Sequence, residues 1–178
     1  WGPVSRDEAR AAFREQAAAL LDGGGVDLFM LETFYNLPEL EQAVLALREL
    51  TQDVPIAALV SVTEEGTTPE GLPPAAFGSA IAEWDVDAIG VNCGVGPITT
   101  LEAIEELSDA VTLPIVAQPN AGQPRNVHGR NLYLTSPEYL ASYARRFIKA
   151  GARLVGGCCG TSPEHIRAIK EAVAAVRP

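Results

Sequence analysis

The residues best suited to chemistry in this sequence are its three cysteines, Cys93, Cys158 and Cys159. The first closes the run Gly90-Val91-Asn92-Cys93-Gly94. The other two are adjacent, inside Gly156-Gly157-Cys158-Cys159-Gly160. Three thiolates and one open position describe a zinc site of the substrate-activating type. Such a centre carries one formal negative charge. A substrate thiol bound there can lose its proton near neutral pH and remain a nucleophile. That suits alkyl transfer to a thiol better than hydrolysis.

Other polar residues sit where apolar runs end: Glu32 and Thr33, Ser61 and Thr63, Asn92, and Asn120. Glu32 lies between apolar neighbours and is placed to hold a substrate ammonium; a salt-bridged core acid is the alternative. Asn120 follows Pro119 and reads equally as a turn residue or a substrate contact. His128 and His165 read as a loop residue and a helix-face residue, not as ligands. Three alternatives to a metal site stand beside it. Buried cysteines commonly serve as small core hydrophobes. Gly156-Gly157 before a helix resembles the phosphate-binding loop of a metal-free barrel enzyme. Vicinal thiols can serve a non-enzymatic zinc or redox module, though a Cys158–Cys159 disulfide would be strained.

The elements that must position these residues alternate. The apolar runs are Val26–Phe34, Pro55–Val62, Val86–Cys93, Leu113–Pro119 and Ala152–Cys159. They are nearly continuous rather than alternating, as strands buried on both faces are. Amphipathic stretches separate them. Ser5-Arg6-Asp7-Glu8 has capping-box spacing before Ala9–Leu21, and Pro38 opens a helix over Glu39–Leu50. Pro74–Glu83 and Thr99–Val111 follow. Ser136-Pro137-Glu138 and Ser162-Pro163-Glu164 open the last helices, through Lys149 and about Val176, with Ser as cap and Pro in the first turn. The order is a helix and then five βα units, with Asn120–Thr135 as the longest loop. In a parallel α/β fold the strand ends share one face, where active sites are built. Cys158 and Cys159 would point to opposite faces of a regular strand, but the flanking glycines permit a turn that lets both sulfurs converge. The helix from Ser162 aims its positive end at the same region and would help hold the thiolates ionised. Five strands fit either an open doubly wound sheet or part of an eight-stranded barrel.

Composition narrows the function. The chain has 178 residues and a formal net charge of −10. No basic stripe suits nucleic acid, no apolar run is long enough to span a membrane, and acidic faces such as Glu102, Glu105 and Glu106 read as solvated surface. An odd, small number of cysteines excludes a disulfide scaffold and fits a cytoplasmic protein. The first residue is Trp1 and the sole methionine is Met30, so Trp1 is expected to follow a cut rather than a translation start.

Gly90-Val91-Asn92-Cys93 followed by Gly156-Gly157-Cys158-Cys159-Gly160-Thr161 resembles the zinc-dependent homocysteine S-methyltransferases. Leu31-Glu32-Thr33-Phe34 and Pro119-Asn120-Ala121-Gly122 match the same family's strand-end motifs. The resemblance implies a (β/α)8 TIM barrel in which Cys93, Cys158 and Cys159 bind zinc. Homocysteine's sulfur would take the open position and attack a donor methyl group, giving methionine. Glu32 would bind the amino group, Asn92 would orient the site, and Asn120 would touch substrate. The Gly122–Tyr133 loop is most similar to proteins that fuse this domain to a methylenetetrahydrofolate reductase, and cobalamin-dependent methionine synthases share the core motifs. Methylfolate, methylcobalamin and a sulfonium are the candidate donors; Glu32-Thr33-Phe34 departs from the Glu-Tyr-Phe of betaine users. Nothing in the chain matches the family's first-strand Gly-Ala-Met-Gly-Thr loop. The first three barrel strands are therefore expected to be absent, and residues 1–178 to form a partial homocysteine-binding barrel that is inactive alone.

Overall fold

The computed structural model describes residues 4–176; Trp1 lies outside them. Helix α1 (Arg6–Asp22) starts at a reciprocal cap. The Ser5 amide donates to Glu8 at 2.8 Å and the Glu8 amide donates to Ser5 Oγ at 3.2 Å. Four βα units follow: β1 (Phe29–Phe34) with α2 (Leu37–Arg48), β2 (Ile56–Val60) with α3 (Pro74–Ala82), β3 (Ala88–Asn92) with α4 (Pro97–Ala110), and β4 (Ile115–Gln118). Before that last strand reaches α5 (Pro137–Lys149), the chain makes a small hairpin, β5 (Arg125–Val127) and β6 (Arg130–Leu132). Strand β7 (Ala152–Val155) and α6 (Pro163–Ala174) complete the chain.

The large sheet has the order β1-β2-β3-β4-β7, and every pair in it is parallel. A doubly wound sheet reverses its strand order at a switch point. Here each new strand adds to the same edge, which is how a barrel wall grows. The sheet is therefore an arc of a barrel, and the open-sheet alternative falls.

Strand alternation separates two apolar layers. Ile56, Ala58, Val60, Ile89, Val91, Ile115 and Ala117 face the helices and join Leu40, Leu47, Phe77, Ile104, Leu107 and Phe147 in the main core. Ala57, Leu59, Ala88 and Val116 form a smaller cluster with Met30 on the other face of the sheet. Both faces are buried, which is why the strands read as unbroken apolar runs.

The hairpin was not expected in the Asn120–Thr135 loop. His128 and Gly129 both have positive φ, 51° and 78°, between the Val127–Arg130 pair. That is the backbone of a two-residue turn whose twist matches the strands it joins. The Gly129 amide donates to Asn126 Oδ1 at 3.1 Å and fixes it.

Candidate metal centre

The strand ends meet on one face. Cys93 follows β3 directly, in the left-handed region at φ 56°. Its amide donates to the Gln118 carbonyl at 3.1 Å. Cys158 and Cys159 follow β7 in a turn pinned to the loop after β4. The Cys158 amide donates to the Pro119 carbonyl at 2.9 Å, and the Cys159 amide to Asn120 Oδ1 at 3.0 Å. The three cysteine sulfurs lie within 4.8 Å of one another, with Cys93 and Cys159 at 3.7 Å.

Of the flanking glycines expected to free this turn, only one takes a left-handed backbone. Neither Gly156 nor Gly157 has a positive φ; the left-handed glycine of this turn is Gly160, at φ 79°. Gly157 matters for space, because a Cβ there would overlap the Thr161 methyl.

Asn92 is fully buried, and its amide links the centre to β1. Oδ1 accepts from the Thr33 amide at 2.8 Å. Nδ2 donates to Thr33 Oγ1 at 2.9 Å and reaches Cys158 Sγ at 3.9 Å. Asn120, 4% exposed, has its carbonyl oxygen committed to Cys159. Glu32 is exposed and, among the described residues, forms no ion pair. His165 lies on a helix, as expected, and its side chain is buried. It is 8% exposed and bridges Ser162 Oγ at 2.9 Å to the Thr135 carbonyl at 2.8 Å. His128 sits at the exposed hairpin tip.

Two residues that the sequence reading passed over belong to this region. The Tyr133 phenol lies among the thiols. Burial holds it above the ordinary tyrosine range, and the nearby thiols of Cys159, Cys93 and Cys158 add to the effect. Gln118, paired in register with Asn92, carries a buried Oε1 without a hydrogen-bond partner among the described residues. Only proximity revealed either one; neither sits in a motif.

The donor set fits a tetrahedral thiophilic ion. Zinc–sulfur bonds of about 2.3 Å at tetrahedral angles put sulfurs about 3.8 Å apart. The Cys93–Cys159 separation of 3.7 Å matches that spacing. Cys158 is pushed up to about 12, first by burial and then by its neighbour Cys93. Burial and the Cys93 neighbour thus oppose ionisation of Cys158. A cation is what such a set lacks. The phosphate-loop alternative fares worse. The amides of Gly156, Cys158, Cys159, Thr161 and Ser162 all donate within the protein, so the loop offers no fan of free donors.

Among the described residues no helix is long and apolar enough to cross a membrane. Methionine synthases of Mycobacterium leprae (strain TN) and Mycobacterium tuberculosis (strain ATCC 25618 / H37Rv) are each 38% identical to the chain, over 93% and 94% of its length. The aligned part is 14% of each relative. Among solved structures, the apo form of the homocysteine methyltransferase MmuM from Escherichia coli superposes with a TM-score of 0.76 at 30% identity, covering 95% of this chain and 57% of that one. Its metallated form gives 0.76 at 30% identity, over 96% and 53%. The chain thus spans little more than half of those solved chains and corresponds to part of their barrel. The homocysteine S-methyltransferase profile matches residues 2–173, nearly the whole chain, and the chain belongs to that family.

Proposed function

We propose that this chain forms the thiol-activating arc of a zinc-dependent methyltransferase that converts homocysteine to methionine. The observation that carries the reading is the convergence of Cys93, Cys158 and Cys159 within 4.8 Å from two separate strand ends. These residues would hold the ion. When bound, zinc supplies a Lewis acid that favours the thiolate form of a substrate thiol.

The rest is the work of the chain. Glu32, exposed and without an ion-pair partner at the end of β1, takes the substrate ammonium and fixes the amino-acid end of homocysteine. Asn92 holds the β1 end and Cys158 in one hydrogen-bonded unit. Asn120, expected to touch substrate, acts in this reading through the Cys159 amide. The homocysteine thiol gives up its proton to solvent. Its sulfur lone pair then forms a bond to the methyl carbon. The bond from methyl to donor breaks, and its electron pair leaves with the donor. The donor is a methylfolate, methylcobalamin or a sulfonium, and a fused folate or reductase domain would serve a folate donor.

The test uses the intact protein that carries this chain. About one zinc per chain is expected, with loss of the metal and of methyl transfer to homocysteine in Cys158→Ser. Full turnover by metal-free protein would sink the reading.

A further inference from the structure

The turn that carries Cys158 and Cys159 belongs to a closed circuit of hydrogen bonds. The Ala121 amide donates to the Cys159 carbonyl at 2.8 Å, and the Thr135 amide donates to the Ala121 carbonyl at 3.3 Å. The Thr135 carbonyl accepts from His165 Nε2 at 2.8 Å, and His165 Nδ1 accepts from the Ser162 amide at 3.1 Å. From Ser162 the chain leads straight back to the cysteines, where the Thr161 amide donates to the Cys158 carbonyl at 3.2 Å. Gly122, left-handed at φ 85°, makes room for the circuit, since a Cβ there would overlap Thr135 Oγ1.

These contacts fix the protonation of the imidazole. A backbone amide only donates, so Nδ1 carries no proton. A backbone carbonyl only accepts, so Nε2 carries one. We infer that His165 is a positioning residue for the cysteine turn: as the neutral Nε2–H imidazole it ties the foot of the β5–β6 hairpin to the first turn of α6 and closes the circuit that holds Cys158 and Cys159. Capping α6 would need less. His165 is the third residue of that helix, where a capping box uses Glu or Gln as an acceptor for the cap amide. Reaching Thr135 as well requires a donor on the same side chain, and the imidazole supplies both.

Three variants of the intact protein separate capping from positioning. His165→Glu keeps an acceptor for Ser162 and offers no donor to Thr135. His165→Gln offers both, and His165→Ala neither. In metal-free protein, exchange at the Ala121 and Thr135 amides should be about fivefold faster in His165→Glu than in wild type, the equivalent of one lost hydrogen bond. The Ser162 amide should stay protected in that variant, and His165→Gln should recover part of the loss. Nitrogen NMR of the wild type should show the His165 proton on Nε2. If His165→Glu matches wild type at Ala121 and Thr135 and only His165→Ala differs, His165 is a helix cap and the inference is overturned. A proton on Nδ1 at neutral pH would also overturn it. Zinc release to a chelator should be about fivefold faster in His165→Glu, and this arm alone rests on the zinc reading above. If the wild type takes up no zinc, that reading fails, while exchange and tautomer still decide the role of His165.

Discussion

The side-chain amide of Asn92 grips Thr33 at two points, accepting from its backbone amide at 2.8 Å and donating to its hydroxyl at 2.9 Å. Thr33 has φ 67°. A β-branched residue there is strained by about 1–2 kcal/mol. Asn92 offsets that strain and keeps the β1 end turned beside Cys158. Asn92→Ala removes both bonds from a fully buried site, so a loss of about 2–3 kcal/mol is expected in urea unfolding. Thr33→Gly relaxes the backbone but also deletes the hydroxyl. In a Thr33→Gly background the cost of Asn92→Ala should therefore shrink. Equal costs in the two backgrounds would show that the residues are not coupled.

Cys158 makes the metal-free centre sensitive to alkali. Its thiol is pushed from 9.0 to about 12, chiefly by burial and then by Cys93. A folded pKa raised above the unfolded value confers stability that is whole below the unfolded pKa and lost as pH rises through the folded one. The stability difference between chelator-stripped wild type and Cys158→Ser should therefore shift against wild type from about pH 9 upward. Zinc must displace this proton, so binding should release acid and tighten with rising pH. Proton release measured in weakly buffered solution checks the second point. A pH-independent difference in unfolding midpoints would contradict the first.

Asn120 fixes the far side of the centre. Its carbonyl oxygen receives the Cys159 amide at 3.0 Å in a buried setting. Asn120→Ala leaves that donor unpaired, at about 1–3 kcal/mol. Asn120→Asp keeps the acceptor and should recover most of the loss. Hydrogen exchange at the Cys159 amide should quicken in the alanine variant and not in the aspartate one.

Gly157 tests whether the turn needs space. A Cβ at this position would run into Thr161, whose hydroxyl donates to the Cys158 carbonyl at 2.7 Å. Gly157→Ala should therefore displace the Cys158–Cys159 turn and weaken zinc retention. Gly157→Ala combined with Thr161→Ser, which removes the nearest obstructing atom and keeps the hydroxyl, should restore part of it. Unchanged zinc retention in the single variant would show that the turn has slack.

The parallel strands and the cysteine cluster were legible because both leave strong local marks. Doubly buried strands are unbroken apolar runs, and Cys93, Cys158 and Cys159 sit at the ends of two of them. The strand pattern alone left the barrel arc as one of two options, since order is a long-range property; the family resemblance chose the barrel, and the strand order agrees. The β5–β6 hairpin was missed because its turn pair is His128-Gly129 rather than Asn-Gly, and its strands are short and exposed. Tyr133 was missed with it. Its place beside Cys159 depends on a tertiary contact with Gly160 that spacing does not encode. His165 read only as a helix-face residue because a helical period alone does not say that Thr135 lies across from it.

Glu32 separates binding from chemistry in the proposed reaction. It is exposed at the end of β1, and no cation among the described residues neutralises it. An acid exposed on the strand next to Thr33, which Asn92 ties to the thiol centre, can pair with the ammonium of an amino-acid substrate. Glu32→Gln preserves size and hydrogen bonding and removes the charge. A charge-assisted contact of this kind contributes about 1.5–3 kcal/mol, roughly ten- to hundredfold in apparent affinity. The contact is the same before and during methyl transfer, since the ammonium lies away from the reacting sulfur. The loss should therefore fall on KM for homocysteine, with kcat nearly unchanged. A thiol lacking the amino group should be used equally by wild type and variant. A drop in kcat with KM intact would instead place Glu32 at the reacting sulfur and overturn the assignment.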